Sequence, residues 1–212
     1  MAEVNDYPYI NNDFGLGTLN SFEKLLPKST VGIEVASKES YLSDATDFKT
    51  QLTKIKATDP QGLVMIATAP NVITMLGQAR EIGLQTNFLT TRSASDPAVL
   101  NTRPEDAEGL ITPDIFDAAG TNAVTQNFVQ AFVQKYGKTP DSFAAEAYEG
   151  FRLVVSALEK CGASPDCLKT HFTELKDYPS LFGAMNFDTS GDPSYEFFIK
   201  VFQRGKFERL GD

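Results

Sequence analysis

The chain has no tryptophan, one histidine and two cysteines in 212 residues. Each shortage removes a class of function. A zinc site needs more ligands than the two cysteines, and the lone His171, among Lys169, Thr170, Thr173 and Glu174, is not placed to help. The same surroundings make His171 a poor general base. No serine stands in a nucleophile-elbow pattern, and there is no P-loop. No apolar run approaches the ~20 residues needed to span a membrane. Positive charge is also scarce: 19 Lys and Arg against 28 Asp and Glu leave a formal charge of −9. A phosphate-binding surface needs clustered Lys and Arg, so the charge argues against a nucleic-acid partner. Met1 to Pro8 is polar and lacks the apolar segment of a secretion signal.

Cys161 and Cys167 stand in a C-x5-C spacing with Gly162 and Pro165 between them. That spacing fits a disulfide closing a tight loop, and a disulfide implies an oxidising compartment such as the periplasm. Two unrelated buried thiols are the alternative.

The chain is organised around Gly62 to Thr91. Leu63 to Ala67 is an unbroken apolar run without alternation, as a strand covered on both faces should be. Pro70 suits a first helical turn, and Val72, Ile73, Leu76 and Ala79 recur at helical spacing. Gly83 is placed to end that helix, and Asn87 to Thr90 begins a second strand. The unit reads as βαβ, with parallel strands and a right-handed crossover. Ligands in such sheets sit outside the carboxyl ends of the strands. Here those ends are Thr68-Ala69 and Thr90-Thr91-Arg92-Ser93. Arg92 is the most informative single charge, since an arginine there can grip a carboxylate in bidentate fashion; an ordinary surface arginine is the plain alternative.

The flanking sequence extends the pattern. Tyr7 to Ile10 reads as a strand with Pro8 early or on an edge, Thr18 to Leu26 as a helix, and Val31 to Val35 as the next strand. Ser43 to Asp47 supplies capping side chains for a helix carrying Phe48, Leu52 and Ile55. Asp96-Pro97 starts a short helix, and Gly109 to Thr112 is a further strand. This is one doubly wound α/β lobe. After Gly120 the pattern changes. Helices are expected over Asn122–Tyr136, from Asp141-Ser142 to Cys161, and over Cys167–Leu175, followed by a strand within Phe182–Phe187 and a closing hairpin around Gln203 to Lys206. Glu146 and Glu149, at i and i+3, read as a solvated pair. Asp188 and Asp192 resemble part of a calcium loop whose later ligands are missing, so a turn is expected. The Phe14-Gly15-Leu16-Gly17 turn fails as a dinucleotide fingerprint, because Asn20 occupies the third glycine position.

Several stretches together resemble a known family. Tyr9 to Gly17, Asp44 to Phe48, Gln78 to Leu84, Ala107 to Leu110, Tyr136 to Pro140 and Phe187 to Pro193 are similar, in order and spacing, to type I periplasmic binding proteins. The nearest group is the substrate-binding components of branched-chain amino-acid (Leu/Ile/Val) ABC importers. The resemblance implies a second ligand-binding lobe formed by residues 4–116 and 193–212, with residues 117–192 a partial, mostly helical remnant of the first lobe. Such a remnant would expose apolar helix faces and favour self-association or burial by a partner. It also implies a non-catalytic, cofactor-free and metal-free periplasmic protein that closes two lobes on a small carboxylate or amino acid and presents it to an ABC permease. A sensor domain of a receptor or regulator with the same fold is the rival implication. Carried over by motif, Phe14 matches an aromatic lining position, Thr68 another lining position, and Phe143 an aromatic of the first-lobe helix. The position of the family's ammonium-binding acid is Arg92 here. A guanidinium repels an ammonium, which points to an aromatic or dicarboxylic acid as ligand.

Overall fold

The computed structural model describes residues 6–30, 32–94 and 100–211, and these fall into two compact units. The first comprises residues 1–113 and 199–212, the second 114–198.

The first unit is built on a sheet of seven strands among the described residues. In chain order these are β1 (Asp6–Ile10), β2 (Ser37–Tyr41), β3 (Gly62–Met65), β4 (Asn87–Thr90), β5 (Ile111–Asp114), and, after the second unit, β9 (Phe198–Gln203) and β10 (Lys206–Arg209). Their order across the sheet is β10-β9-β5-β4-β3-β1-β2. The β2-β1, β1-β3, β3-β4 and β4-β5 pairs are parallel, and β9-β10 is the antiparallel closing hairpin. Helices α1 (Asp13–Leu25), α2 (Lys49–Lys56), α3 (Ala69–Glu81) and α4 (Pro104–Ala107) connect them.

The apolar run in β3 shows why the sheet must be covered twice. Leu63 and Met65 join Leu52, Ile55, Val72 and Leu76 of α2 and α3 in one core. Val64 and Ile66 face the opposite way, toward Tyr7, Leu19 and Phe22. With side chains alternating across the strand, both faces are apolar because both carry a helix layer.

Three expectations are corrected here. The second strand lies at Ser37–Tyr41, not Val31–Val35: it pairs residue for residue with β1, from Asp6↔Ser37 to Ile10↔Tyr41, while 32–36 have no ladder and Val31 is outside the described residues. As an edge strand it needs few buried positions, so its polar sequence carries little apolar signal. Pro8 is not on an edge, since β1 lies between β2 and β3. The β1-β3 ladder is registered at Asp6↔Leu63 and again at Tyr9↔Ile66, and Pro8, which has no N–H to offer, stands in the interval. Helix α1 starts at Asp13, five residues before Thr18, because the Asn12 side chain caps it by accepting from the Gly15 N–H at 2.9 Å. The helix expected from Asp96-Pro97 lies outside the described residues.

The second unit packs α5 (Ala123–Tyr136), α6 (Ser142–Cys161) and α7 (Pro165–Thr173) with a small antiparallel sheet. Its strands are β6 (Tyr178–Ser180), β7 (Gly183–Phe187) and β8 (Pro193–Ser194), in that order. Asn122 and Asp141 cap α5 and α6, and Gly137 ends α5 in the left-handed region at φ 70°. Phe116, Phe128, Ala145, Leu181, Phe182 and Met185 form its core. The Cys161 and Cys167 sulfurs are bonded, joining α6 to α7. Phe143, Phe151, Val154 and Leu158 of α6 are exposed, Phe151 to 69%.

Candidate functional site

The parallel register brings the carboxyl ends of β1, β3 and β4 side by side, because Tyr9 pairs with Ile66 and Met65 with Thr90. Three of the sequence-derived residues follow those ends. Phe14 is on the first turn of α1, after β1, and 40% exposed. Thr68 is the N-cap residue of α3, after β3, exposed, with its hydroxyl donating to Asn71 Oδ1 at 2.8 Å. Arg92 opens a short 3-10 turn after β4 and is half-buried. Sheet topology therefore gathers Phe14, Thr68 and Arg92 along one rim. Phe143 belongs to the second unit, on the first turn of α6.

Hydroxyl groups hold this rim together. Thr91 Oγ1 and Ser93 Oγ are hydrogen-bonded to each other at 2.7 Å, and the hydroxyl that accepts in that bond is left to donate to the Ala67 carbonyl, which lies 3.4 Å from Thr91 Oγ1 and 3.2 Å from Ser93 Oγ. The Tyr41 hydroxyl donates to the Ile66 carbonyl, and burial pushes its pKa well above the usual tyrosine range. Asn12 Nδ2 donates to Ser43 Oγ at 3.5 Å, linking the segments that follow β1 and β2. Beside them opens a cleft of about 300 Å³ lined by Asn11, Tyr41, Leu42, Asp44, Ala45 and Gln51. Sequence reasoning missed this end of the rim, because it placed β2 six residues too early.

Helices α1 and α3 both begin at this edge; the Asn12 side chain pairs the Gly15 N–H of α1, whereas the first turn of α3 has no side-chain cap. The first turn of α3 carries no acid, whereas α1 has Asp13. No cluster of metal-ligating side chains occurs among the described residues.

The two glycines after β1 have separate roles. A Cβ on Gly15 would lie 1.8 Å from the Ile10 carbonyl oxygen, whereas one on Gly17 would meet nothing within 4 Å. Gly15 thus lets α1 press against the end of β1, which is a packing role.

One further expectation is overturned. Glu149 is not solvated but buried, 1% exposed. Its carboxylate accepts from Arg152 at 3.0 and 3.2 Å and from the Leu181 N–H at 2.9 Å. The i, i+3 spacing to Glu146 concealed the i, i+3 spacing to Arg152, which supplies the counter-charge.

Comparison with known proteins gives the fold its relatives. The chain is 22% identical over 181 residues to the leucine-, isoleucine-, valine-, threonine- and alanine-binding protein of Pseudomonas aeruginosa, covering 84% of this chain and 47% of that one. Its fold matches a leucine-binding protein from Thermotoga maritima with a TM-score of 0.87 at 21% identity, over 98% of this chain and 60% of the other. It also matches an ABC-transporter solute-binding protein from R. palustris in complex with benzoate, with a TM-score of 0.85 at 18% identity, over 99% and 58%. The chain spans about half the length of the curated relatives it matches. The sequence profile of the periplasmic binding proteins matches residues 9–197, and the chain belongs to that family.

Proposed function

We propose that this chain is part of the solute-binding component of a bacterial ABC importer, working in the periplasm. Its first unit corresponds to the second ligand-binding lobe and its second unit to part of the first. Lobe closure about the crossovers would trap a small carboxylate and present it to a permease, without cofactor, metal or covalent chemistry. The observation that carries this reading is the placement of Phe14, Thr68 and Arg92 after the carboxyl ends of three adjacent parallel strands.

Within that function the ligand is a small acid, either a branched-chain amino acid or an aromatic or dicarboxylic acid. Arg92 favours the second group. Its planar fork offers paired donors to a carboxylate and would oppose an ammonium at the same place. Phe14 and Phe143 would line the pocket, and Thr68 would offer a hydroxyl. The exposed apolar side chains of α6 support burial of that face by further chain or by self-association.

Calorimetric titration of the protein with benzoate, succinate and leucine tests the reading. Binding of an acid that weakens about ten-fold or more in Arg92→Ala is the expected result, the size of a lost charge-assisted contact. Leucine binding that is tight and indifferent to Arg92→Ala would overturn the acid assignment.

A further inference from the structure

Across the first unit's sheet the strands β4, β3, β1 and β2 are consecutive neighbours. Their carboxyl ends are followed, in that order, by Arg92, Thr68, Phe14 and the segment Leu42 to Ala45. Leu42 is 65% exposed, and the Asn12–Ser43 bond holds its segment beside the start of α1, where Phe14 stands. Asp44 is exposed and lines the cleft with Asn11, Leu42 and Gln51; among the described residues no lysine or arginine lines it. The sequence offers Asp44 as a capping side chain for α2. Asp47 takes that role instead, accepting from the Lys49 N–H at 3.0 Å. Arg92 and Asp44 thus follow strands three spacings apart, about 14 Å along the sheet edge. The rim runs from a cation, past a hydroxyl and two apolar side chains, to an acid.

We propose that Asp44 is a specificity-determining residue of this site, selecting an elongated aromatic monocarboxylate with an ammonium or hydroxyl donor at the end away from its carboxylate. This deepens the solute-binding reading and rests on it. Arg92 takes the carboxylate, Phe14 and Leu42 cover the ring, and the Asp44 carboxylate accepts from the donor. A dicarboxylic acid of the same length would bring a second anion against Asp44, with no cation in the cleft to receive it. Like charges set against each other in this way oppose binding. Arg92 alone admits either an aromatic or a dicarboxylic acid; Asp44 separates the two.

Calorimetric titration with para-substituted benzoates of matched shape tests this. The probes are 4-(aminomethyl)benzoate, 4-(hydroxymethyl)benzoate, 4-methylbenzoate and terephthalate. The aminomethyl compound is expected to bind tightest and terephthalate weakest. Asp44→Asn should weaken the aminomethyl compound about ten-fold, the size of a lost charge-assisted contact, and leave the methyl compound unchanged. Asp44→Lys should invert the order and make terephthalate the tightest. Equal binding of the aminomethyl compound and terephthalate, or an order that survives both variants, would overturn the role of Asp44. If Arg92→Ala still weakened all four probes in that case, the solute-binding reading would stand. Binding of succinate or leucine but of none of the benzoates would likewise overturn the proposal and keep that reading. Binding of no acid at all would end both.

Discussion

The Tyr41 hydroxyl donates to the Ile66 carbonyl across 3.3 Å, so the edge strand β2 is tied to the segment after β3 over the end of β1 between them. This bond lies beneath the proposed binding rim and also packs Tyr41 edge-on against Phe48, with ring centroids 5.1 Å apart. Tyr41→Phe keeps the ring contact and leaves the carbonyl without this donor. The expected loss is about 1 kcal/mol, read as a lower urea midpoint with unchanged slope.

Alkaline pH should weaken the fold through the same residue. Burial raises the Tyr41 pKa, and burial together with the bond to Glu23 raises that of Tyr7. The folded protein therefore keeps these protons after the unfolded chain has lost them, at a pH above about 10. Since the native state then binds more protons than the unfolded one, stability falls as pH rises through that range and is complete below it. Urea midpoints at mildly and strongly alkaline pH should drop more for the unmodified protein than for the Tyr7→Phe, Tyr41→Phe double variant. Equal drops would show that other groups govern the alkaline limb.

The glycines of the Phe14 turn should separate cleanly under substitution. Gly15→Ala places a methyl where the Ile10 carbonyl oxygen already lies, at a cost of about 3 kcal/mol or more. Gly17→Ala enters open space within a helix and should stabilise by about 0.5–1 kcal/mol. Denaturant titration of the two variants decides it, and similar effects of both would refute the packing role of Gly15.

Removing the Glu149 carboxylate strips a buried N–H and an arginine of their acceptor together. Glu149→Ala should cost about 3 kcal/mol, with Leu181 and Arg152 both left unpaired by this loss. Glu149→Gln, which keeps an acceptor for the Leu181 N–H, should cost less. A thermal melt of each checks the order, and an Ala variant as stable as the parent would mean that the pair adds nothing net.

Reduction of the Cys161–Cys167 bond should lower stability only modestly. The bond spans a sequence separation of 6, so it constrains a short loop and contributes about 2 kcal/mol in the loop-entropy account. Melting with and without a phosphine reductant measures it. Unfolding of the whole chain on reduction would show that the bond does more than close that loop.

Periodic and contiguous signals determined much of this protein in advance. The apolar run of β3, the 3.6-residue spacing in α3, the glycine that ends it at Gly83 and the Asp141 cap of α6 act locally, and each was legible in the sequence. So was the rim: once β3 and β4 are parallel neighbours, Thr68 and Arg92 must follow adjacent strand ends. Other features depended on partners distant along the chain. Ser37–Tyr41 is a strand because β1 supplies its ladder, and Glu149 is buried because the Leu181 N–H and Arg152 meet it there. The buried carboxylate of Asp114 finds its hydroxyl donor in Ser142, 28 residues on. The physical reason is common to these cases. Backbone torsion and amphipathic period are written into neighbouring residues, whereas edge pairing and the desolvation of a charge are settled only when remote segments arrive.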